Sequence, residues 1–316
     1  MNTVTTRRHA IGVMLAPIVA AGCSFDRLLN PSKILATVGG PLAPVTLIGA
    51  GDQHAVARFG ARRTTARMIQ AVLNADPAAL AFNAGDLTYH GTMQEQRDYY
   101  HPTWGAFKDR TLFTMGNHDR LANSTGADYY AYTGAEKFYA RSLSDRWRIY
   151  VLNSESESYG GAGAGTQTAW LKRDIAEHPN VHRLAMWHIP MFSNVCGLHK
   201  RMMVWPGKVG AWWEKLQQAG GEFVISGHVH RYERFAKALR NGTRSDAGMR
   251  QFVIGTGGLR NMPVQTRHGL YESSVVAEGV MRYDLYPDSY KWTFTDIAGD
   301  VLDTGEQTCR PLSAKV

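Results

Sequence analysis

The chain has few cysteines and no apolar run long enough to cross a membrane. Only Cys23, Cys196 and Cys309 occur among its 316 residues, and no two of them form a Cys-x-x-Cys pair. This scarcity excludes a zinc finger, which needs closely spaced cysteines and histidines. The apolar run at 10–21 is shorter than the roughly 20 residues that span a bilayer, so we predict no membrane-spanning helix there.

Blocks of basic residues are also absent, although the net charge is positive. The formal charge is +8, and removal of 1–22, which contains Arg7 and Arg8 and no acid, would leave 8 − 2 = +6. The lysines and arginines are dispersed, so a nucleic-acid partner is not expected. Such a charge is compatible with the attraction of anionic substrates.

Three motifs of common hydrolases and nucleotide-binding proteins are missing. The sequence has no Gly-x-Ser-x-Gly, no His-Glu-x-x-His and no Gly-x-x-x-x-Gly-Lys followed by Ser or Thr. These absences argue against a serine-nucleophile hydrolase, a helix-borne zinc protease site and a phosphate-binding loop. With 44% hydrophobic and 20% charged residues, the chain has the composition of a folded protein of one large or two small domains.

The N-terminal region has the pattern of an export signal followed by a tether. Paired arginines precede the apolar run, which ends in Ala-Gly-Cys at Cys23 and resembles a bacterial lipoprotein cleavage site. We predict a signal peptide at 1–22, a lipid on Cys23 that attaches the protein to a membrane, and a tether at 23–44. The protein would then lie in the cell envelope or periplasm. A plain cleaved signal is the alternative; an oxidising compartment would permit a Cys196–Cys309 disulfide, with two buried thiols as the other reading.

Apolar strands alternate with amphipathic helices through most of the chain. Strands are predicted at 45–50, 79–83, 111–115, 148–152, 184–187, 222–226, 251–254, 279–285 and 290–296. Helices are predicted at 61–75, 94–107, 166–178 and 205–220. This alternation, with a strand-rich C-terminal region, predicts an α/β fold with a mixed sheet.

Five of these strands end in a short loop that carries Asp, Asn or His. The loops are Gly51-Asp52-Gln53-His54, Gly85-Asp86-Leu87-Thr88-Tyr89, Gly116-Asn117-His118-Asp119, Trp187-His188-Ile189-Pro190 and Gly227-His228-Val229-His230. Ligands bind at the carboxyl ends of strands in open α/β sheets, so we expect these loops to converge. One such loop alone would be read as a structural turn, but five in series indicate a shared site.

The side chains of these loops are of the types that hold metal ions. Carboxylate, imidazole and amide oxygen are ligands for zinc, iron and manganese. Two neighbouring cations repel each other, and a carboxylate with two oxygens can lie between them and offset that repulsion. The loops therefore predict a site for two cations.

The order of the motifs resembles that of calcineurin-like metallophosphoesterases. These are Gly-Asp-x-His, Gly-Asp-x-x-Tyr, Gly-Asn-His-Asp, a strand-terminal His and Gly-His-x-His, and the Tyr at position 89 is similar to the purple acid phosphatase branch. The stretches at 167–171, 227–235 and 252–258 support the resemblance, which extends over about 45–309. It implies a four-layer α/β/β/α sandwich with mixed sheets in a single catalytic domain at 45–309, followed by a tail at 310–316.

The resemblance also implies a role for each loop residue. Asp86 would bridge both metals. The first metal would be held by Asp52 and His230, and the second by Asn117, His188 and His228. His118 would lie beside the leaving group, where Asp119 would orient it.

The chain departs from the patterns of both the ordinary members and the purple branch, because it has both His54 and Tyr89. Ordinary members use the histidine of the first motif as a ligand, whereas the purple branch uses the tyrosine. We predict that both bind the first metal, with displacement of one of them as the alternative. A phenolate ligand would favour ferric iron and give a visible colour; a histidine would admit zinc, manganese or ferrous iron.

The implied activity is hydrolysis of a small phosphate monoester by attack of a metal-bound hydroxide. The cofactors would be two metal ions, iron plus zinc, manganese or a second iron, and no phospho-enzyme is expected. His199 and Arg120 are candidate substrate-binding residues, with a solvent-exposed loop position as the alternative for each. A phosphodiesterase or nucleotidase on the same metals is the alternative function. A non-catalytic metal-binding envelope protein is the third reading.

Overall fold

The strands of the protein form two sheets. The computed structural model describes residues 43–54, 60–155, 164–194, 209–259 and 269–312. In chain order its strands are β1 Val45–Ala50, β2 Leu80–Asn83, β3 Thr111–Phe113, β4 Tyr139–Ser142, β5 Trp147–Val151, β6 His182–Met186, β7 Gly221–Ser226, β8 Tyr232–Phe235, β9 Arg250–Ile254, β10 Tyr271–Val275, β11 Gly279–Leu285, β12 Ser289–Asp296 and β13 Val301–Thr308. The sequence predictions that lie outside the described residues are the signal peptide, the Cys23 lipid site, most of the tether, Cys196 and His199.

Both sheets combine parallel and antiparallel pairs. The first has the order β13-β12-β11-β1-β2-β3, with β1, β2 and β3 parallel and the C-terminal strands antiparallel. The second has the order β10-β8-β9-β7-β6-β5-β4, with β5, β6, β7 and β9 parallel. The parallel strands form one side of the first sheet and the centre of the second, and within each sheet their carboxyl ends are directed to the same edge.

Helices cover the outer faces of the two sheets. They are α1 Gly60–Ala75, α2 Met93–Glu95, α3 Ala127–Thr133, α4 Ala164–Glu177 and α5 Val209–Gln218, together with a π-helix at Gln96–Tyr100 and 3₁₀ segments at Trp104–Arg110 and His118–Arg120. In α1, Ala66, Ile69 and Leu73 lie on one face and pack against the first sheet. None of the helices among the described residues is both long and apolar enough to cross a membrane.

Period-two alternation along the strands separates three apolar layers. Leu47 and Phe82 face the core between the sheets, whereas Ile48 and Ala81 face α1. In the second sheet Ile149 faces the same central core, and its neighbours face α4 and α5. Because both faces of each sheet are buried, the central strands are continuous apolar runs. The predicted four-layer α/β/β/α sandwich with mixed sheets is confirmed.

One predicted helix is wrong in part. The segment 94–107 is broken into a short α-helical turn, a π-helix and a 3₁₀ segment, with a non-helical residue at Phe107. Pro102 lies at the break, and proline lacks the N–H that a continuous helix would need. Three of the four aromatic side chains of this segment are nevertheless buried: Tyr100, Trp104 and Phe107.

Phe223 lies at the centre of the aromatic core between the sheets. Its ring centroid is 4.9 Å from that of Tyr283 and 4.6 Å from that of Tyr290. We expect Phe223→Ala to lower the free energy of unfolding by about 3–5 kcal/mol, because the substitution leaves a cavity where the rings now touch. Urea unfolding measures the change. Leu302→Ala, at a position 37% exposed on β13, is the control and should change stability by less than about 0.5 kcal/mol.

Candidate metal centre

The five polar loops converge at the carboxyl ends of the parallel strands, as the sequence predicts. Three of them follow β1, β2 and β3 in the first sheet, and two follow β6 and β7 in the second. The sheets meet here through the backbone N–H of His228, which donates to the Asp52 carboxylate at 2.9 Å. Residues that are distant in sequence therefore line one site.

The backbone of these loops is held in an uncommon conformation. Asp52, His54, Asp86 and His228 have φ angles of 61°, 41°, 58° and 70°, in the left-handed region that side chains other than glycine rarely adopt. Strain of this kind persists where surrounding contacts fix it, and it concentrates at functional sites. Here the left-handed conformation directs the side chains of these four residues into the site. Gly116 is required for a related reason, since a Cβ at that position would clash with the Asp86 carboxylate.

The first group of metal-ligating side chains consists of Asp52, His54 and His230, whose ligand atoms lie within 4.8 Å of one another. Nε2 of His230 is 3.5 Å from Oδ1 of Asp52, and Nε2 of His54 is 3.7 Å from the same oxygen. Both ring nitrogens of His54 are buried, and neither makes a hydrogen bond to any residue that the structure describes. A metal ion fits these residues, because it would coordinate a buried imidazole that now has carboxylate oxygens near it.

The second group consists of Asn117, His188 and His228. Oδ1 of Asn117 is 2.8 Å from Nδ1 of His228 and 3.1 Å from Nε2 of His188. Nδ1 of His188 lies 2.8 Å from the carbonyl oxygen of Ala84 and donates to it, which leaves Nε2 as the ligand atom. The three residues predicted to hold the second metal thus come together.

Asp86 lies between the two groups. Its Oδ2 is 3.2 Å from Nε2 of His54 and 3.3 Å from Nε2 of His188, and its Oδ1 accepts a hydrogen bond from the backbone N–H of His118. One carboxylate oxygen therefore faces a side chain from each group. This is the position that a bridging ligand requires.

The electrostatics of the site favour the binding of positive charge. Burial alone would raise the pKa of Asp86, but the charge and hydrogen bond of His188, and then His54, hold it well below its usual value. The pKa of His188 rises to about 10 and that of His54 to about 9, because nearby carboxylates outweigh the burial of each ring. Protons in these positions occupy sites that cations can take, so metal binding would release them.

His118 and Asp119 have different partners from those expected. Nδ1 of His118 is 2.7 Å from the carbonyl oxygen of Tyr89, which orients the ring. Asp119 accepts from the backbone N–H groups of Asp86, Leu87 and Gly116 at 2.8–2.9 Å. Asp119 therefore ties two ligand loops together, and the prediction that it orients His118 is corrected, because its oxygens are turned to the loop backbone.

The remaining predicted residues lie at the edge of the site. The Tyr89 side chain is 42% exposed, with its ring 5.7 Å from that of His54 and 5.0 Å from that of His118. Arg120 donates from Nη1 to the carbonyl oxygen of Glu155 at 3.1 Å. Substrate binding by Arg120, like that by His199 outside the described residues, stays a prediction.

A comparison with known families decides the identity of the site. The profile of the calcineurin-like phosphoesterases matches residues 45–232, which contain every side chain of the two ligand groups. The chain belongs to the calcineurin-like phosphoesterase family.

The chain is similar to purple acid phosphatases. It is 24% identical to purple acid phosphatase 23 of Arabidopsis thaliana over 289 residues, covering 79% of this chain and 59% of that protein. It spans 34% to 59% of the length of the Arabidopsis purple acid phosphatases that it matches. Among solved structures, purple acid phosphatase PPD1 of yellow lupin (Lupinus luteus) gives a TM-score of 0.64 at 17% identity over 84% of this chain and 53% of that one. GAP50, the anchor in the inner membrane complex of Plasmodium, gives 0.68 at 12% identity over 85% and 90%. These two likenesses show the fold alone.

The described part of the chain has a buried acid near the candidate metal centre that the sequence prediction missed. Glu155 is fully buried, and burial raises its pKa to about 7. The nearby charge of His188 lowers that pKa, and the nearby charge of Asp86 raises it. The signal was present, since Asn153-Ser154-Glu155 follows β5 as the other polar loops follow their strands. The position of Glu155 just after a predicted strand would therefore have identified it as a site candidate.

A pair of substitutions tests whether His54 or Tyr89 binds the first metal. We expect His54→Ala to lower the amount of bound metal and the activity about 10–100-fold, because a buried ligand beside Asp52 and Asp86 is lost. Tyr89→Phe should leave the metal content unchanged, contrary to the prediction from the sequence that both side chains bind, because the Tyr89 ring lies at the exposed rim. Metal analysis and a visible spectrum of the iron-loaded protein measure both. A visible band in the parent that Tyr89→Phe removes would show that the phenolate is a ligand.

Proposed function

We propose that this protein is an exported, two-metal phosphatase that hydrolyses small phosphate monoesters. The observation that carries the proposal is the position of Asp86, whose Oδ2 lies 3.2 Å from a side chain of one ligand group and 3.3 Å from a side chain of the other. The purple acid phosphatases among its relatives support a monoester substrate. Iron with zinc, manganese or a second iron suits the mixed oxygen and nitrogen ligands.

The site residues divide the work of such a reaction. The two ligand groups would hold two cations, which would supply an activated water and neutralisation of the charge on the phosphate oxygens. Asp86, with the other ligand side chains, fixes where the cations and therefore the phosphate lie. His118, oriented by the Tyr89 carbonyl, is beside His54 with ring centroids 4.4 Å apart, where its free ring nitrogen can give a proton to the leaving oxygen.

Turnover of chromogenic esters tests the proposed activity. The full chain, loaded with iron, zinc or manganese, is assayed with a phosphate monoester and a phosphate diester of the same chromophore. We expect faster turnover of the monoester. Faster turnover of the diester would replace the proposal with a phosphodiesterase or nucleotidase, and full metal occupancy with no turnover of either would indicate a non-catalytic metal-binding protein.

The export part of the proposal rests on the N-terminal sequence. The paired arginines, the apolar run at 10–21 and Cys23 are the features of a lipoprotein signal. We expect the full chain to incorporate labelled fatty acid in a bacterial host and to fractionate with membranes, and Cys23→Ser to abolish the label. Recovery of unlabelled protein with an intact N-terminus from the cytoplasm would contradict export.

A further inference from the structure

A second cluster of metal-ligating side chains lies at the opposite end of the second sheet. His182 begins β6 and Glu222 is the second residue of β7, so both are at the amino ends of parallel strands whose carboxyl ends carry His188 and His228. Cys309 follows β13 directly. One ligand atom from each of these three residues lies within 4.8 Å of the other two, and all three residues are buried.

The spacing within this cluster suits a coordinated ion better than direct hydrogen bonds. Nδ1 of His182 is 3.7 Å from Oε1 of Glu222, which is longer than an N–H···O hydrogen bond of about 2.7–3.2 Å. A tetrahedral zinc ion with bonds of about 2.0–2.2 Å to nitrogen and oxygen separates these two ligand atoms by roughly 3.3–3.5 Å. The nitrogen and oxygen lie a few tenths of an ångström beyond that separation, so a small inward movement of the two side chains would place both on one ion.

A carboxylate lies near the ring nitrogen of His182 that faces away from the cluster. Nε2 of His182 is 3.4 Å from Oδ1 of Asp288, so a carboxylate faces the ring nitrogen opposite Nδ1. Carboxylate–histidine–zinc arrangements fix the tautomer of the ligand in this way. Asp288 also holds the chain end, because its carbonyl oxygen accepts from the backbone N–H of Cys309 at 2.9 Å.

The charges near the cluster include cations as well as acids. The backbone N–H of Arg310 donates to Oε1 of Glu222 at 3.0 Å, and Nη1 of its guanidinium group donates to the carbonyl oxygen of Ala247 at 2.9 Å. Burial lowers the pKa of Lys237, and Glu222 acts against that shift. Asp288 is mostly exposed and its Oδ1 pairs with Arg146 at 2.5 Å, so the negative charge at the cluster itself comes from Glu222 and a Cys309 thiolate.

We propose that His182, Glu222 and Cys309 bind a zinc ion, separate from the catalytic metals, with water as its fourth ligand. Cys309 belongs to the core between the sheets, and it continues from a strand of the first sheet, whereas His182 and Glu222 belong to the second. An ion held by all three therefore fastens the C-terminal strand to the other sheet. A mixed sulfur, nitrogen and oxygen set is one that zinc accepts.

Cobalt substitution tests this site without depending on the activity of the protein. The full chain with Cys23→Ser and Cys196→Ser retains Cys309 as its sole thiol. Loaded with Co²⁺, it should show a sulfur-to-cobalt charge-transfer absorption in the near ultraviolet. Adding Cys309→Ser should remove that absorption, lower the bound metal by one ion per chain and lower the melting temperature, while phosphatase activity is retained.

Glu222→Gln and the cobalt absorption of the Cys309-bearing protein test the zinc site independently of Cys309→Ser. Glu222→Gln preserves the size of the side chain and should also lower the zinc content by one ion. The absorption of the Cys309-bearing protein requires no variant at that cysteine, so a folding failure of Cys309→Ser would not hide the answer. Absence of the band at saturating Co²⁺, with the same number of ions bound before and after Cys309→Ser, would overturn the proposal. Loss of activity in the parent protein would instead count against the proposed function.

Discussion

Asp86→Ala is expected to lower phosphatase activity on the order of 10³-fold or more. The carboxylate faces both ligand groups, so its removal disturbs both cation positions at once. Metal ions contribute several kcal/mol to the stabilisation of transition-state charge, and each 1.36 kcal/mol corresponds to a factor of ten in rate. Steady-state kinetics with a chromogenic monoester, together with metal analysis of the same sample, measure the effect.

The control for Asp86→Ala is a carboxylate removed from the surface. Asp109→Asn changes a side chain that is 93% exposed and should retain the parent rate and metal content. We expect the metal content and the turnover rate of Asp86→Ala to fall together, because the carboxylate acts through the cations. A variant that kept both ions and at least a tenth of the parent rate would contradict the bridging role.

His118→Ala is expected to lower kcat by about 10²–10⁴-fold while the bound metal is retained. The ring is held by the Tyr89 carbonyl and lies beside the ligand groups, so it is placed for proton transfer to the leaving group. The loss should be largest for alkyl phosphates, whose leaving oxygen needs a proton, and smaller for an aryl phosphate with a stable phenolate. Comparison of the two substrates separates this role from a loss of metal.

Tyr130→Phe is the control for His118→Ala. Its hydroxyl accepts from Asn153 at 2.9 Å near the site without contacting a ligand group, so the rate on both substrates should be near that of the parent. An equal loss for alkyl and aryl substrates in His118→Ala would mean that the ring acts on phosphate binding. That result would reject its assignment as the proton donor.

The ligand loops were predictable because each follows an apolar strand, and strand order in the sequence carries over to the sheet edge. Asp52, Asp86, Asn117, His188 and His228 each lie at such an end, and the structure brings them together. The layered fold was predictable for a related reason, since strands buried on both faces are apolar throughout. The resemblance to the metallophosphoesterases supplied the arrangement of the two sheets.

Other features depend on contacts that sequence spacing does not encode. The hydrogen bonds that Asp119 accepts from three backbone N–H groups involve no second side chain, so nothing in the sequence pointed to them. His182, Glu222 and Cys309 come from strands far apart along the chain, with no motif of closely spaced ligands. The interrupted helix at 94–107 did have a signal in Pro102, which periodicity alone overlooked.

The most direct test of the account is a crystal structure of the metal-replete protein with anomalous scattering recorded at the metal absorption edges. We predict two ions about 3.5–4 Å apart, both bound to Asp86, one also bound by Asp52, His54 and His230 and the other by Asn117, His188 and His228. A single ion in this region, or two ions of which one has no contact with Asp86, would contradict the two-metal centre.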